Sequence, residues 1–251
     1  MLDRLRRKVR IYERMIKEQF LIRDLSARQL QLIDRIKSQK ITYLSKAKLA
    51  NIAYAIDRLK KYKLKGIFVE AGCALGGSSI LISKLKNTNS KFYVFDVFGM
   101  IPPPTEDDTK DVHQRYKTIV EGNSKGLGDD PYYGYQDNLY EKVLENFSSF
   151  DVDPQEENVQ LIKGKVQDTM EISEPVAFAH VDVDWYDPVK TCLQQIWPKL
   201  QPGGVLILDD YHDWGGCRKA TDEYFGKLDG GFTMDDRFGS MRVTKLDSEL
   251  D

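Results

Sequence analysis

Apolar residues recur at three- and four-residue steps over the first sixty positions, then give way to short continuous runs. Leu2, Leu5, Val9, Tyr12 and Ile16 form one stripe of a helix whose opposite face is basic. Ser26 is placed to cap a second helix that turns Leu30, Ile33 and Ile36 inward. Ser45 is placed to cap a third, with Leu49, Ile52, Ile56 and Leu59 on one side. From Gly66 the period changes. GIFVEAG, KFYVFDVF, NVQLIKG, VAFAHVDV and GVLILDDY read as buried strands separated by helical stretches, and FTMDDR and SMRVTKL read as a closing hairpin around Phe238 and Gly239. Short apolar strands alternating with helices predict an α/β fold built on a doubly wound, mostly parallel seven-stranded sheet. That domain is expected over 41–251, behind a helical basic extension at 1–40. Residues 99–158 break the rhythm with Pro102, Pro103 and Pro104, an acidic cluster and two helical patterns. A connection of that length predicts a lid or binding loop.

Charge changes the picture at one end only. The net charge is −2, yet residues 1–40 hold twelve Lys and Arg against five Asp and Glu. The expected reason is an amphipathic extension packed on the core or on a second copy of the chain, making a homo-oligomer, rather than a nucleic-acid surface. No apolar run reaches the roughly 20 residues that span a bilayer, and MLDRLRRKVRIYERM lacks the apolar stretch of a signal peptide. Cys73, Cys192 and Cys217 have no CxxC spacing and read as reduced thiols of a cytoplasmic protein.

The chemistry gathers at the strand ends, where ligands collect in parallel sheets. The EAGCALGGSS segment, Glu70 to Ser79, joins the first strand to its helix with glycines that admit a ligand to the backbone. Asp96 ends the second strand, where an acidic residue can bind a ribose diol. Asp182 and Asp184 end the fourth strand, and Asp209 and Asp210 the fifth. Four carboxylates at adjacent strand ends repel one another unless a cation lies among them, so Asp182, Asp209 and Asp210 are candidate ligands of Mg²⁺, Mn²⁺ or Ca²⁺. The alternative is that they cap the helices that follow. Asp184, two residues on at the strand end, is expected to stay out of the ligand set, either facing the other way or, if it points the same way as Asp182, standing behind the ligands. His212 follows the aspartate pair as a candidate general base. Trp185, Tyr186, Trp214 and the cluster Tyr132, Tyr133 and Tyr135 are candidate walls of an acceptor pocket.

Four segments together carry a resemblance: EAGCALGGSS, FDVFGMIPPP, HVDVDWYDPVKT and PKLQPGGVLILDDYHDWGGCRKATDEY. They resemble the macrocin O-methyltransferase (TylF-like) family over about residues 40–246. The resemblance implies a Rossmann-like class I methyltransferase fold, S-adenosylmethionine as methyl donor, Mg²⁺ at the site and a sugar hydroxyl of a small molecule or glycoside as acceptor. It implies that Glu70, Gly72 and Ser78 meet the methionine part of the donor, Asp96 the ribose, and Gln167 of GKVQDT the adenine. Asp182, Asp209 and Asp210 fall on the metal-ligand positions, with Asp182 doubling as proton acceptor beside the cofactor and His212 as the second choice. The layout is also similar to catechol O-methyltransferase, but Trp185 stands where that enzyme carries a lysine. Two other readings remain open at this point: a phenol or catechol acceptor, and a non-catalytic partner subunit that binds S-adenosylmethionine. The segment beginning at Gly99 departs from the family pattern, so the acceptor does not carry over.

Overall fold

The computed structural model describes residues 19–247, so most of the first expected helix lies outside the described residues. Helix α1 (Ala27–Ser38) begins with a reciprocal cap in which Ser26 and Gln29 each satisfy the other's backbone amide. Helix α2 (Lys46–Lys61) begins with the Ser45 hydroxyl accepting from the Lys48 amide. Their inner faces, Ile33 and Ile36 on α1 and Leu49, Ile52, Ile56 and Leu59 on α2, are buried as their spacing requires.

The strands are β1 (Ile67–Ala71), β2 (Phe92–Asp96), β3 (Val159–Lys163), β4 (Val176–Val181), β5 (Leu200–Leu208), β6 (Phe232–Asp235) and β7 (Met241–Lys245). They form one seven-stranded sheet in the order β3-β2-β1-β4-β5-β7-β6. β1 to β5 pair in parallel, and β7 runs antiparallel to both β5 and β6. The remaining helices are α3 (Gly77–Leu85), α4 (Lys110–Val120), α5 (Leu139–Ser149), α6 (Val166–Thr169), α7 (Tyr186–Ile196) and α8 (Gly215–Phe225).

Strand side chains alternate between two cores. Phe68, Phe178, Val205 and Ile207 pack with residues of α1, α2, α3 and α5 on one face. Val69, Ala71, Ala179, Val181, Leu206 and Leu208 pack with residues of α7 and α8 on the other. Burial on both faces explains why these strands read as unbroken apolar runs. It also makes the polar exceptions informative: Glu70 and His180, paired across β1 and β4, share the face of Phe68 and Phe178 and are wholly buried. All three cysteines are buried free thiols. Among the described residues no helix is long and apolar enough to cross a membrane.

Segment 99–158 carries α4, a short 3-10 turn at Tyr133–Tyr135 and α5. It is fastened across the carboxyl side of the sheet by its own acids. Asp108 Oδ1 accepts from the Tyr186 amide at 2.7 Å, and Asp111 Oδ2 from the Gly215 amide at 2.9 Å, so two loop carboxylates cap α7 and α8 from outside. The Trp185 indole donates to the Pro102 carbonyl at 3.0 Å. Two members of the loop's acidic cluster, Asp108 and Asp111, are therefore helix caps supplied from a distant part of the chain, while Asp107 pairs with Lys219.

Candidate active site

The sheet ladder continues past the strand ends and sets the site's frame. Gly72 N–H donates to Phe95 O, Asp182 N–H to Ala71 O and Asp209 N–H to Val181 O, all at 2.8–2.9 Å. These bonds hold the first residue after β1, β4 and β5 side by side. Gly72 has φ +84°, and a Cβ there would lie 1.9 Å from the Asp182 carbonyl oxygen. Only glycine lets the turn after β1 pass this close to Asp182. Gly72→Ala is expected to unfold the β1–β4 junction, lowering the melting midpoint by roughly 10 °C for a cost of about 3–5 kcal/mol; a thermal melt checks it.

Two cavities meet at this junction. One is lined by Gly72, Asp96, the Pro102–Pro104 run and the Gly164–Gln167 segment. The other, of about 380 Å³, is lined by Tyr43, Lys48, Arg115, Tyr132, Tyr133, Trp214 and the aspartates. Gly72, Asp96, Tyr133, Asp182, Asp184 and Trp185 line both. Asp96 is buried, with Oδ2 accepting from the amides of Cys73 and Ala74 and Oδ1 from that of Phe98. Burial still pushes its carboxyl above the ordinary range despite those three bonds. Asp96 thereby clamps the glycine loop while edging both cavities.

One oxygen each from Asp182, Asp209 and Asp210 lies within 4.8 Å of the others. Burial and the neighbouring carboxylates push Asp182 well above the ordinary range and Asp210 up to about 7. Asp209 behaves oppositely. Burial raises it, but His180 and Lys48 outweigh burial and hold it below the ordinary range. Its Oδ1 is buried without a hydrogen-bond partner and faces His180 Nε2, also without one, at 3.8 Å. The helices that follow, α7 and α8, receive no cap from side chains at their own N-cap residues, Trp185 and Trp214. Capping therefore does not account for the aspartates. Convergent hard oxygen donors, mutual repulsion and an orphaned buried oxygen fit a divalent cation such as Mg²⁺.

Asp184 lies outside that group of three. It adopts φ +56°, rare for a residue with a Cβ, and its amide donates to Asp210 Oδ2 at 3.2 Å. Its backbone thus orients a neighbouring carboxylate while its side chain edges both cavities.

Three expected site residues are placed elsewhere. Glu70 does not open onto either cavity: Oε1 contacts His180 Nδ1 at 2.9 Å, and the other oxygen accepts from the Ser79 hydroxyl. Strand alternation turns it into the α3 layer. Ser78 is buried in the first turn of α3 and lines neither cavity. His212, the second candidate base, pairs with Asp236 at 3.2 Å, stands 3.4 Å from Arg218 and lines neither cavity. Gln167 and Gly72 do line the first cavity. Of the expected aromatic walls, Tyr132, Tyr133, Trp185 and Trp214 line the second cavity. Tyr135 instead bonds Ile119 O and Ser124 N, and Tyr186 bonds Glu223.

The sequence places His180 in an apolar strand, where a buried or near-site residue satisfied by its neighbours is expected, and the structure adds Lys48, Tyr43 and Arg115 to the site. His180 is buried between Glu70 and Asp209; burial lowers its pKa, and the two carboxylates raise it to about 9. Lys48 arrives from the first turn of α2 and contacts Asp209 Oδ2 at 2.7 Å and Asp213 Oδ2 at 2.6 Å. Tyr43 packs edge-on against Tyr132 and Tyr133, and the Arg115 guanidinium lies 5.6 Å over the Tyr132 ring. No motif announces Lys48, Tyr43 or Arg115, because each reaches the site from another part of the chain.

The strand order, the single reversed strand β7 and the crevice at the carboxyl ends define a class I methyltransferase fold. The same fold is seen in the O-methyltransferase NovP (TM-score 0.66, 23% identity, 82% of this chain and 83% of that one). It is seen too in the calicheamicin methyltransferase CalS11 (TM-score 0.59, 14% identity, 88% and 93%). The chain belongs to the Macrocin-O-methyltransferase (TylF) family, which matches residues 19–229, and it is an O-methyltransferase. Its relatives include the demethyldecarbamoylnovobiocin O-methyltransferase of Streptomyces niveus, 26% identical over 75% of this chain and 69% of that protein. The mycinamicin III 3''-O-methyltransferase of Micromonospora griseorubida is 26% identical over 73% and 69%.

Proposed function

We propose that this protein moves the methyl group of S-adenosylmethionine to a sugar hydroxyl of a glycosylated small molecule, with Mg²⁺ held by Asp182, Asp209 and Asp210. The convergence of those three carboxylates where two cavities meet carries the reading. The relatives are named for acting on demethyldecarbamoylnovobiocin, a rhamnosyl tetracenomycin C and mycinamicin III, which favours a glycoside over a simple phenol. Among the solved structures of this fold, the Podospora anserina methyltransferase PaMTH1 is described as bound to S-adenosylhomocysteine, the demethylated donor (TM-score 0.54, 15% identity, 95% of this chain and 96% of that one).

In this reading the first cavity takes the donor. Gln167 and its neighbours meet the adenine, Asp96 the ribose hydroxyls, and the Gly72 turn the methionine part. The second cavity takes the acceptor, whose ring lies against Tyr43, Tyr132, Tyr133 and Trp214. A sugar hydroxyl is a weak nucleophile at neutral pH, and a bound divalent cation lowers its pKa and fixes its direction. Asp182 edges both cavities and is the residue placed to take the hydroxyl proton. The acceptor oxygen then forms the new C–O bond in line with the breaking C–S bond, so the chain contributes mainly positioning. Segment 99–158, tied down through Asp108, Asp111 and Trp185, walls the crevice from water.

Calorimetric titration with S-adenosylmethionine is expected to show one site per chain at micromolar affinity. Turnover of a glycoside acceptor, read as a one-methyl mass shift, is expected to stop on adding EDTA and return with Mg²⁺. No donor binding at tens of micromolar sinks the donor assignment, and turnover indifferent to EDTA sinks the metal assignment.

A further inference from the structure

The acid cluster already contains a cation supplied by the chain. The Lys48 ammonium sits 2.7 Å from Asp209 Oδ2, 3.1 Å from the Asp209 carbonyl oxygen and 2.6 Å from Asp213 Oδ2. Its side chain is only 13% exposed and lines the acceptor cavity. Lys48 does not reach the site by accident of a flexible surface chain. The Ser45 cap fixes the first turn of α2 at the Lys48 amide. One turn further on, Asn51 is buried and bonds Ser240 and Arg242 beside β7. Helix α2 is thereby pinned at the edge of the site.

We propose that Lys48 is a positioning residue that acts on the metal site through Asp209: it holds that carboxylate in place before the divalent cation arrives, and it weakens cation binding by sharing its ligand. The proposal rests on the metal reading above. The geometry supports a division of labour on one carboxylate. Oδ2 is engaged by Lys48, while Oδ1 is buried without a hydrogen bond and has His180 Nε2 at 3.8 Å. Asp182 and Asp210 have no comparable cation: among the described residues, neither forms a salt bridge. A fixed positive charge within one side chain's length of a divalent cation opposes its binding, and low solvent exposure leaves that repulsion poorly screened. Without Lys48 the net charge of the site is more negative by one, and the carboxylates hold a divalent cation more tightly.

The effect is read on binding, apart from turnover. Mn²⁺ serves as probe, with free ion followed by electron paramagnetic resonance and Mg²⁺ competing. Lys48→Met keeps the stem and removes the charge; Lys48→Gln keeps a hydrogen-bond donor as well; Lys48→Arg keeps the charge. Met and Gln variants are expected to bind Mn²⁺ about tenfold tighter than the wild type, and the Arg variant within about threefold of it. Either neutral variant suffices if the other fails to fold, which a cooperative melt reports. Neutral variants that bind no tighter than the wild type overturn the proposal while leaving the metal reading intact. An Arg variant as tight as the neutral ones overturns it too, since shape and not charge would then be at work. Absence of Mn²⁺ binding in every protein overturns the metal reading and this proposal together.

Discussion

Replacing Asp209 and Asp210 together by asparagine is expected to lower turnover by about a thousandfold or more while leaving S-adenosylmethionine affinity within about threefold. The two halves of that result separate because the site has two halves. Gly72, Asp96 and Gln167 line the cavity proposed for the donor, whereas the pair supplies two of the three converging oxygens. A second readout guards against simple damage. Asp210 is buried with its carboxyl pushed up to about 7 by burial and Asp209, so its charge works against folding. Asp210→Asn alone is therefore expected to raise the melting midpoint by a few degrees in EDTA, on the order of 1–2 kcal/mol, while it abolishes metal-dependent turnover. A loss of activity with a fall in stability contradicts this account. Kinetics, calorimetry and a melt in EDTA check the three parts.

Removal of Glu70 tests the structure against the simpler reading of its motif. If Glu70 met the donor directly, Glu70→Ala would weaken donor binding and leave stability nearly unchanged. The structure instead buries it wholly, against His180 and the Ser79 hydroxyl. Deleting one partner of a buried pair leaves the other uncompensated, at about 3–5 kcal/mol, or roughly 10 °C in melting midpoint for a chain of this size. The pH dependence carries the same signature. His180 titrates near 9 in the folded protein against an ordinary 6.5. Its contribution is whole below pH 6.5 and is lost as pH rises through 9. Melts of the wild type are expected to fall across that window, and those of Glu70→Ala to fall less. Parallel slopes for the two proteins would dissociate Glu70 from His180.

Much of this fold is legible from pattern alone because each signal is local. The steps of Ile33 and Ile36 on α1, and of Leu49, Ile52, Ile56 and Leu59 on α2, predict buried helix faces, and those faces are buried. The strand runs predict a sheet covered on both sides, and two cores flank it. Asp182, Asp209 and Asp210 were visible because parallel strands bring their carboxyl ends to one edge, so residues at equivalent places in the repeat become neighbours. The pattern could not resolve which side of a strand end faces a ligand. Glu70 and Gly72 are two residues apart, yet one turns into the α3 layer and the other forms the crevice floor. His212 follows Asp210 closely in sequence, but the turn between them sends it to Asp236.

The amino-acid sequence by itself determined the order of elements, the two-faced burial of the sheet and the placing of three carboxylates at one edge. These follow from periodicity and chain direction, which need no knowledge of distant contacts. Only the tertiary structure decided what surrounds those carboxylates. Lys48 comes to Asp209 across 161 positions of chain and His180 comes to Glu70 across 110. Electrostatic environment is a property of distance in space, and nothing in the local pattern around Lys48 distinguishes it from the solvent-facing lysines of the same helix. A lysine does sit at the acidic site, though Trp185 holds the place where the sequence comparison looked for one. It is supplied by packing a helix against the sheet, and it reaches the one carboxylate of the three that is held below its ordinary pKa.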